Sequence, residues 1–282
     1  MNITGIRTLP AGTILKNFLI SQLTFLMIVI SFACSSGFCQ NGQQKTSPKF
    51  NMLALYENGG HHILFSQRAK TWLDQLAADS NFSIVYITDT KIITDSFLHK
   101  FQLFLQLDYV PYGWSDTAMQ AFEKYLSDKD RGWLGFHHAT LLGEFDGYPM
   151  WQWYSAFMGG IKWKDYIPAF ASATVKVEDS SHPCMQGIPS SFIIEKEEWY
   201  TYDKSPRPHV HVIASADESS YRPPSTISMG DHPVIWSNEK FAARNCYVFM
   251  GHSPDLFDNK VYTKIFRNAI FWAAHQENKN KY

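Results

Sequence analysis

The sequence predicts an α/β protein whose central sheet is parallel at first and is followed by extra β-rich insertions. Short apolar runs alternate with stretches of helical periodicity from residue 50 to residue 136, which is typical of βαβ units with right-handed crossovers. Later apolar runs follow one another with fewer helical stretches between them, and this pattern indicates the β-rich part.

Each predicted element rests on a local pattern. Residues 51–56 (NMLALY) form a near-continuous apolar run, as expected for a parallel strand buried on both faces. Apolar residues at helical spacing between Ile63 and Leu76 predict the helix that follows. Thr94 or Asp95 is suited to cap a short helix, and Ser115 with Asp116 to open another. The other predicted strands are 82–87, 100–107, 132–136, 173–177, 210–214, 234–236 and 247–250, and the last predicted helix is 260–275.

Composition limits the classes of function. The chain has 282 residues, of which 45% are hydrophobic and 16% aromatic, enough for a sizeable core and too apolar for a disordered chain. The formal net charge is −1 and no run is rich in Lys and Arg, so we expect no nucleic-acid partner. We expect one α/β domain over residues 50–276.

The first 39 residues resemble a signal peptide. Basic residues occur only before an apolar run at 18–33, and small residues follow it. A membrane span is the alternative, but polar residues interrupt the run and it is short for a span. Cys34 matches in part the cysteine that carries the lipid in bacterial lipoproteins. Cleavage before Gln40 is an equally good alternative, because small residues are preferred just before a signal-peptide cleavage site. Residues 40–49 would then be a linker. We therefore predict an exported protein, periplasmic or lipid-anchored in the cell envelope, with no other membrane contact.

The remaining two cysteines, Cys184 and Cys246, imply no disulfide framework, and Cys246 lies in an apolar run where it suits a core position.

Histidines follow three of the predicted strands. His61-His62 comes after the first strand, His137-His138 after the fourth and His252 after the run 247–250. If these strands are parallel, the histidines share the carboxyl edge of the sheet, where open α/β sheets bind ligands. Because neighbouring strand-end residues point to opposite sides, His61 could replace His62, and His137 could replace His138, in the pocket.

A carboxylate pair, Glu197-Glu198, precedes two aromatic residues, Trp199 and Tyr200. One interpretation is a solvated acidic turn. The other places Glu198 in the pocket as a general base or metal ligand against an aromatic wall, where burial would raise its pKa.

The order of several short motifs along residues 51–274 resembles the ThuA-like (trehalose utilisation) family. These motifs are Gly135-Phe136-His137-His138-Ala139, Trp151, Tyr154, Met158-Gly159-Gly160, His182-Pro183, Gly187-Ile188-Pro189, Glu198-Trp199-Tyr200, Pro233-Val234-Ile235-Trp236 and Gly251-His252. The resemblance implies a flavodoxin-like parallel sheet of the class I glutamine amidotransferase-like fold. True amidotransferases carry a cysteine nucleophile after the equivalent strand; here the turn 136–139 contains none.

The resemblance also implies a role in disaccharide or keto-glycoside use. We expect an enzyme, an isomerase, lyase or hydrolase, that acts on a small sugar or keto-sugar; a non-catalytic carbohydrate-binding protein and a metal-dependent hydrolase are the alternatives. The expected catalytic residues are His62, His138, Glu198 and His252, the same four are candidate Zn²⁺ ligands, and the expected substrate-binding residues are His137, Trp151, Trp199 and Tyr200.

Overall fold

A computed structural model describes residues 47–276. The predicted signal peptide and most of the predicted linker lie outside this range. The described strands are β1 (Asn51–Tyr56), β2 (Ser83–Ile87), β3 (Leu103–Leu107), β4 (Gly132–Phe136), β5 (Trp163–Tyr166), β6 (Ala171–Val177), β7 (Ser191–Glu197), β8 (Tyr200–Tyr202), β9 (His211–Arg222), β10 (Pro233–Ser237) and β11 (Arg244–Val248). The α-helices are α1 (Ile63–Ser80), α2 (Asp95–Leu98), α3 (Asp116–Leu126), α4 (Gln152–Phe157) and α5 (Lys260–Ala273).

Nine strands form one sheet in the order β2-β1-β3-β4-β11-β10-β9-β6-β7. The first five of these are mutually parallel, and their order is the 2-1-3-4-5 order of flavodoxin-like folds. The other four are antiparallel to their neighbours and form the β-rich part. The flavodoxin-like fold class predicted from the sequence is therefore confirmed.

Helices cover both faces of the parallel half. On one face α1 and α5 meet, with the rings of Trp72 and Phe266 stacked 5.0 Å apart. On the other face α3 and α4 meet through Phe122 and Tyr154, whose rings are 5.8 Å apart. Helix starts follow the predicted caps: the hydroxyls of Thr94 and Ser115 accept backbone N–H groups of the first turns of α2 and α3.

Several predicted bounds were wrong. Strand β9 continues to Arg222 through polar residues, because it pairs with β10 on one side and with β6 on the other. Strand β7 was not predicted, since exposed residues, most of them polar, alternate with its few buried positions at the edge of the sheet. Strand β3 begins at Leu103, three residues later than predicted, and β11 begins at Arg244, three residues earlier. Within residues 47–276 no helix has both the length and the apolar character needed to cross a bilayer.

Candidate functional site

The histidines that follow β1, β4 and β11 meet at the carboxyl edge of the parallel strands. His62 ends a 3-10 turn before α1, and His137 and His138 open a second 3-10 turn after β4. The ring centre of His62 lies 3.9 Å from that of His138, 4.2 Å from that of His252 and 5.1 Å from that of His137. Parallel pairing brings these three strand ends to one edge, so residues up to 190 positions apart make contact.

Four side chains around this point form what we call the His₃Glu group: His62, His137, Glu198 and His252. Each offers one ligand atom, and these atoms all lie within 4.8 Å of one another. His62 Nε2 is 3.1 Å from His252 Nδ1, and His252 Nδ1 is 3.3 Å from Glu198 Oε2. His137 Nε2 is 3.6 Å from the same carboxylate oxygen.

A carboxylate that the sequence analysis did not single out, Glu57, orients two of the histidines. Its Oε2 accepts hydrogen bonds from Nδ1 of His62 and from Nδ1 of His138, both at 3.1 Å. Burial acts to raise the pKa of Glu57, but the hydrogen bonds from His138 and His62 outweigh it and lower that pKa to about 2. With its Nδ1 proton held by Glu57, His62 presents the lone pair of Nε2 to the centre of the His₃Glu group.

His137 is held in an uncommon backbone conformation, with φ +39°. Its carbonyl oxygen accepts hydrogen bonds from the hydroxyls of Thr140 and Tyr247, both at 3.0 Å, and these bonds secure the turn. Its ring is fully buried, lies 4.3 Å from the ring of Tyr200, and has no hydrogen-bond partner for either nitrogen among the described residues. Burial lowers the pKa of His137 well below its usual range, and likewise lowers that of His62 to about 4, so both imidazoles are neutral.

The two consecutive glutamates have opposite environments. Glu197 is fully buried, and burial raises its pKa to about 7. Its carboxyl oxygens accept backbone N–H groups of Gly251 at 3.0 Å and of His252 at 3.2 Å, which fixes the loop after β11. The raised pKa expected for Glu198 was wrong: burial acts to raise it, but the imidazoles of His137 and His252, 3.6 and 3.3 Å from its Oε2, outweigh burial and lower the pKa.

A second buried carboxyl group, Asp108, lies behind the site at the end of β3. It is fully buried, has φ +52°, and neither of its oxygens has a hydrogen-bond partner among the described residues. Burial, reinforced by the negative charges of Glu197 and Glu57, raises its pKa well above the usual range. A Cβ on Gly251 would lie 2.6 Å from Asp108 Oδ1 and 2.7 Å from His137 Cβ, so only glycine fits there.

Three of the other predicted residues lie elsewhere. Trp151 is buried in the aromatic cluster of α3 and α4, donates its indole N–H to Glu123, and is not part of the histidine site. Trp199 is fully buried, with its ring stacked 5.3 Å from that of Phe249. His61 is exposed, whereas His62 is buried. The expected choice between His137 and His138 does not arise, since both belong to the site. His137 is a member of the His₃Glu group, and His138 contacts Glu57.

The donor set fits a transition metal such as Zn²⁺. Tetrahedral Zn²⁺ with bonds of about 2.0–2.1 Å holds its ligand atoms about 3.3–3.4 Å apart. Three of the six spacings among the four ligand atoms, 3.1, 3.3 and 3.6 Å, are close to that value, and all six are within 4.8 Å. The hydrogen bond between His62 Nδ1 and Glu57, at 3.1 Å, matches the outer contact usual at metal sites, whereas Glu197 lies 3.9 Å from His137 Nδ1, beyond hydrogen-bond distance. Glu57, His62 and His138 form a second, overlapping group of ligand type.

Comparison with solved structures agrees with this fold. A putative ThuA-like protein from Bacteroides uniformis is 26% identical, with a TM-score of 0.72 over 81% of this chain and 92% of that chain. A putative ThuA-like protein from Parabacteroides merdae is 16% identical, with a TM-score of 0.58 over 81% and 90%. A cytoplasmic protein from Salmonella typhimurium is 11% identical, with a TM-score of 0.52 over 79% and 98%. These last two similarities show the fold alone.

No curated protein sequence matches the chain significantly. The profile of the family described as "ThuA: Trehalose utilisation" matches residues 52–273, which span all the parallel strands and the His₃Glu group. The chain therefore belongs to the ThuA family, in the context of carbohydrate utilisation.

Proposed function

We propose that this protein is an exported metal-dependent enzyme that acts on a sugar or keto-glycoside, with the metal held by the His₃Glu group. The observation that carries the proposal is the convergence of four ligand atoms within 4.8 Å at the carboxyl edge of the sheet. Hydrogen bonding alone does not account for this cluster, because the buried ring of His137 has neither nitrogen paired among the described residues.

The donors favour a catalytic metal over a structural one. Structural zinc sites are mostly rich in cysteine, whereas imidazole and carboxylate donors are usual where a coordination position stays open for substrate. The group also borders the surface: the side chains of His252 and Glu198 are 10% and 16% exposed. The exposed ring of Phe170 lies 4.8 Å from that of His252 and forms part of the rim.

A bound metal would supply Lewis acidity toward a substrate oxygen atom. The residues around it supply proton transfer. His138 is hydrogen-bonded through Nδ1 to Glu57, which leaves Nε2 as the atom that exchanges a proton with the substrate. Its ring centre is 3.9 Å from that of His62, so an acid–base group lies directly beside the metal ligands. Proton transfer next to a polarised carbonyl is what isomerisation or elimination at a keto-sugar requires.

Export is supported by the leader-like pattern of residues 1–39, with lipid attachment at Cys34 or cleavage before Gln40 as its two forms. A sugar substrate fits a family described by trehalose utilisation. Mass spectrometry of the protein isolated from its envelope fraction would identify the mature N-terminus, and retention of residues 1–39 would contradict export by cleavage.

Elemental analysis tests the metal directly. Purified protein, before and after dialysis against a chelator and reconstitution with Zn²⁺, is analysed by inductively coupled plasma mass spectrometry. We expect close to one equivalent per chain, lost in His252→Ala and in Glu198→Gln. His61→Ala is the matched control, since His61 is the exposed neighbour of His62 and is expected to keep the metal. Absence of metal from reconstituted wild-type protein would refute the metal site.

Turnover is tested with keto-disaccharides as substrates. We expect a chelator to abolish the activity and Zn²⁺ to restore it. We expect His138→Ala to remove the activity while leaving the metal content unchanged. Full activity in His138→Ala would contradict the role given to the His138–Glu57 pair. Saturable sugar binding without product after long incubation would instead support a binding protein.

A further inference from the structure

A series of aromatic rings leads from the His₃Glu group to the surface. We call Tyr112, Phe145, Tyr148, Trp163 and Tyr166 the aromatic strip. Successive ring centres are 6.3 Å apart for Tyr148 and Tyr112, 5.5 Å for Tyr112 and Phe145, and 6.0 Å for Phe145 and Trp163. Tyr166 follows at 6.2 Å from Trp163, with the two rings inclined by 31°. Three separate chain segments contribute these rings.

Local geometry explains how two of the segments present them. Between Phe145 and Tyr148, Asp146 and Gly147 have φ +53° and +81°, the signature of a tight type I′ hairpin turn. The backbone N–H of Tyr148 donates to the carbonyl of Phe145 at 2.9 Å, so the two aromatic residues are paired across the turn. Trp163 and Tyr166 lie on β5, which pairs only with β8 in a two-stranded ribbon.

The strip is continuous with the candidate site. The ring of Trp163 lies 6.2 Å from that of Tyr200, which in turn lies 4.3 Å from that of His137. Tyr112 is close enough to Glu57 for that carboxylate to contribute, after burial and Asp146, to raising its pKa to about 12. The inner end of the strip therefore reaches the His₃Glu group through Tyr200, and Tyr112 lies within electrostatic range of Glu57.

The outer rings are accessible to a ligand. Tyr148 is 50% exposed and Tyr166 is 37% exposed, so each keeps part of its ring free for a ligand to stack on. Charged residues border them, including Glu144, Lys164 and Asp165, all exposed. Flat rings with apolar faces, bordered by hydrogen-bonding groups, match a pyranose, which has an apolar C–H face and a polar hydroxyl rim.

We propose that the aromatic strip is a binding subsite for a second sugar ring, so that the substrate is a disaccharide or longer glycoside and not a free monosaccharide. This inference rests on the proposed function, in which the reacting sugar binds at the His₃Glu group. The non-reacting sugar then stacks on Tyr148, Tyr112 or Tyr166 and holds the reacting one in place, which is how remote binding energy assists catalysis.

Calorimetric titration separates this subsite from the metal site. The ligands are trehalose, maltose, cellobiose and glucose, titrated into protein reconstituted with Zn²⁺ and into His252→Ala. We expect at least one disaccharide to bind at least about tenfold more tightly than glucose, and Tyr148→Ala or Tyr166→Ala to weaken it about five- to tenfold without changing glucose binding. Ile193→Ala, an exposed apolar position on β7, is the control and is expected to have no effect.

The outcomes are distinct. Equal binding of all four sugars, no binding of any disaccharide, or unchanged disaccharide affinity in Tyr148→Ala and Tyr166→Ala would overturn the subsite. Loss of metal and turnover in His252→Ala, with disaccharide binding still dependent on Tyr148, would support it. If wild-type protein holds no metal, the proposed chemistry is wrong. The subsite would still be supported if Tyr148→Ala or Tyr166→Ala weakened disaccharide binding.

Discussion

Glu57→Gln tests whether one carboxylate organises the candidate metal site. In the structure its Oε2 accepts two hydrogen bonds at 3.1 Å, from Nδ1 of His62 and from Nδ1 of His138. The glutamine amide is nearly the same size but has no charge, and it carries N–H donors where the carboxylate has an acceptor. It can therefore turn the wrong group toward the histidines, and then neither the Nδ1 proton nor the ring orientation of His62 is fixed.

The expected effect follows from the role of such outer contacts. Loss of the carboxylate behind a ligating histidine typically weakens metal affinity about 10–100-fold, which corresponds to about 1.4–2.7 kcal/mol. We expect the upper part of this range, because the same oxygen serves two histidines. The side chain of Glu57 is 29% exposed, so the variant is expected to fold normally.

Competition of the apo-protein with a fluorescent chelator for Zn²⁺ measures the affinity, and circular dichroism checks the fold. Glu195→Gln makes the same chemical change at an exposed position on β7 and serves as the control. A folded Glu57→Gln variant that binds Zn²⁺ within twofold of the wild type would refute the reasoning, since His62 would then need no partner to act as a ligand.

Three further predictions concern stability and the support of the site. Thr140→Val removes a hydroxyl that lies 2.7 Å from the hydroxyls of both Tyr202 and Tyr247; we expect a loss of about 1–3 kcal/mol in urea unfolding, and full stability would contradict the importance of this buried network. Gly251→Ala places a Cβ 2.6 Å from Asp108 Oδ1, so we expect a lower melting temperature and weaker Zn²⁺ binding, and an unchanged affinity would show that the loop adapts. His182 is partly buried, and burial lowers its pKa to about 4 from 6.5, so its neutral form stabilises the fold above pH 6.5 and this contribution is lost as the pH falls from 6.5 toward 4. Between pH 8 and pH 5 we expect the wild type to lose about 2 kcal/mol more stability than His182→Gln, and equal pH profiles of the two proteins would refute it.

The positions of the strand-end histidines could be predicted because they depend on chain order alone. An apolar run followed directly by a polar residue marks the end of a strand, and parallel pairing brings such ends to one edge. The same rule, applied to carboxylates, would have found Glu57 immediately after β1 and Asp108 immediately after β3. Both carboxylates were missed, because only histidines were predicted to follow these strand ends.

Side-chain direction could not be predicted in the same way. Alternation along a strand implies that only one of His137 and His138 faces the pocket. The chain leaves the strand geometry at that point, with φ +39° at His137, and the turn brings both rings to the site. The sequence pattern also does not show which of Glu197 and Glu198 accepts backbone N–H groups and which lies beside the histidines. The backbone N–H groups belong to the loop after β11 and one of the histidines, His137, follows β4, and both segments are far along the chain from the two glutamates.

Aromatic residues illustrate the same limit. Trp151 and Trp163 look alike in sequence, yet Trp151 packs inside the cluster formed by α3 and α4 while Trp163 joins the strip that leads to Tyr200. Periodicity and composition are local properties, so the sequence alone determined the α/β class, the parallel half of the sheet, the strand-end histidines and the family. Only the tertiary structure decided three other features: the pairing of Glu57 with two histidines, the neutral ring of His137 and the opposite pKa shifts of the two glutamates. All three depend on burial and on contacts between distant segments.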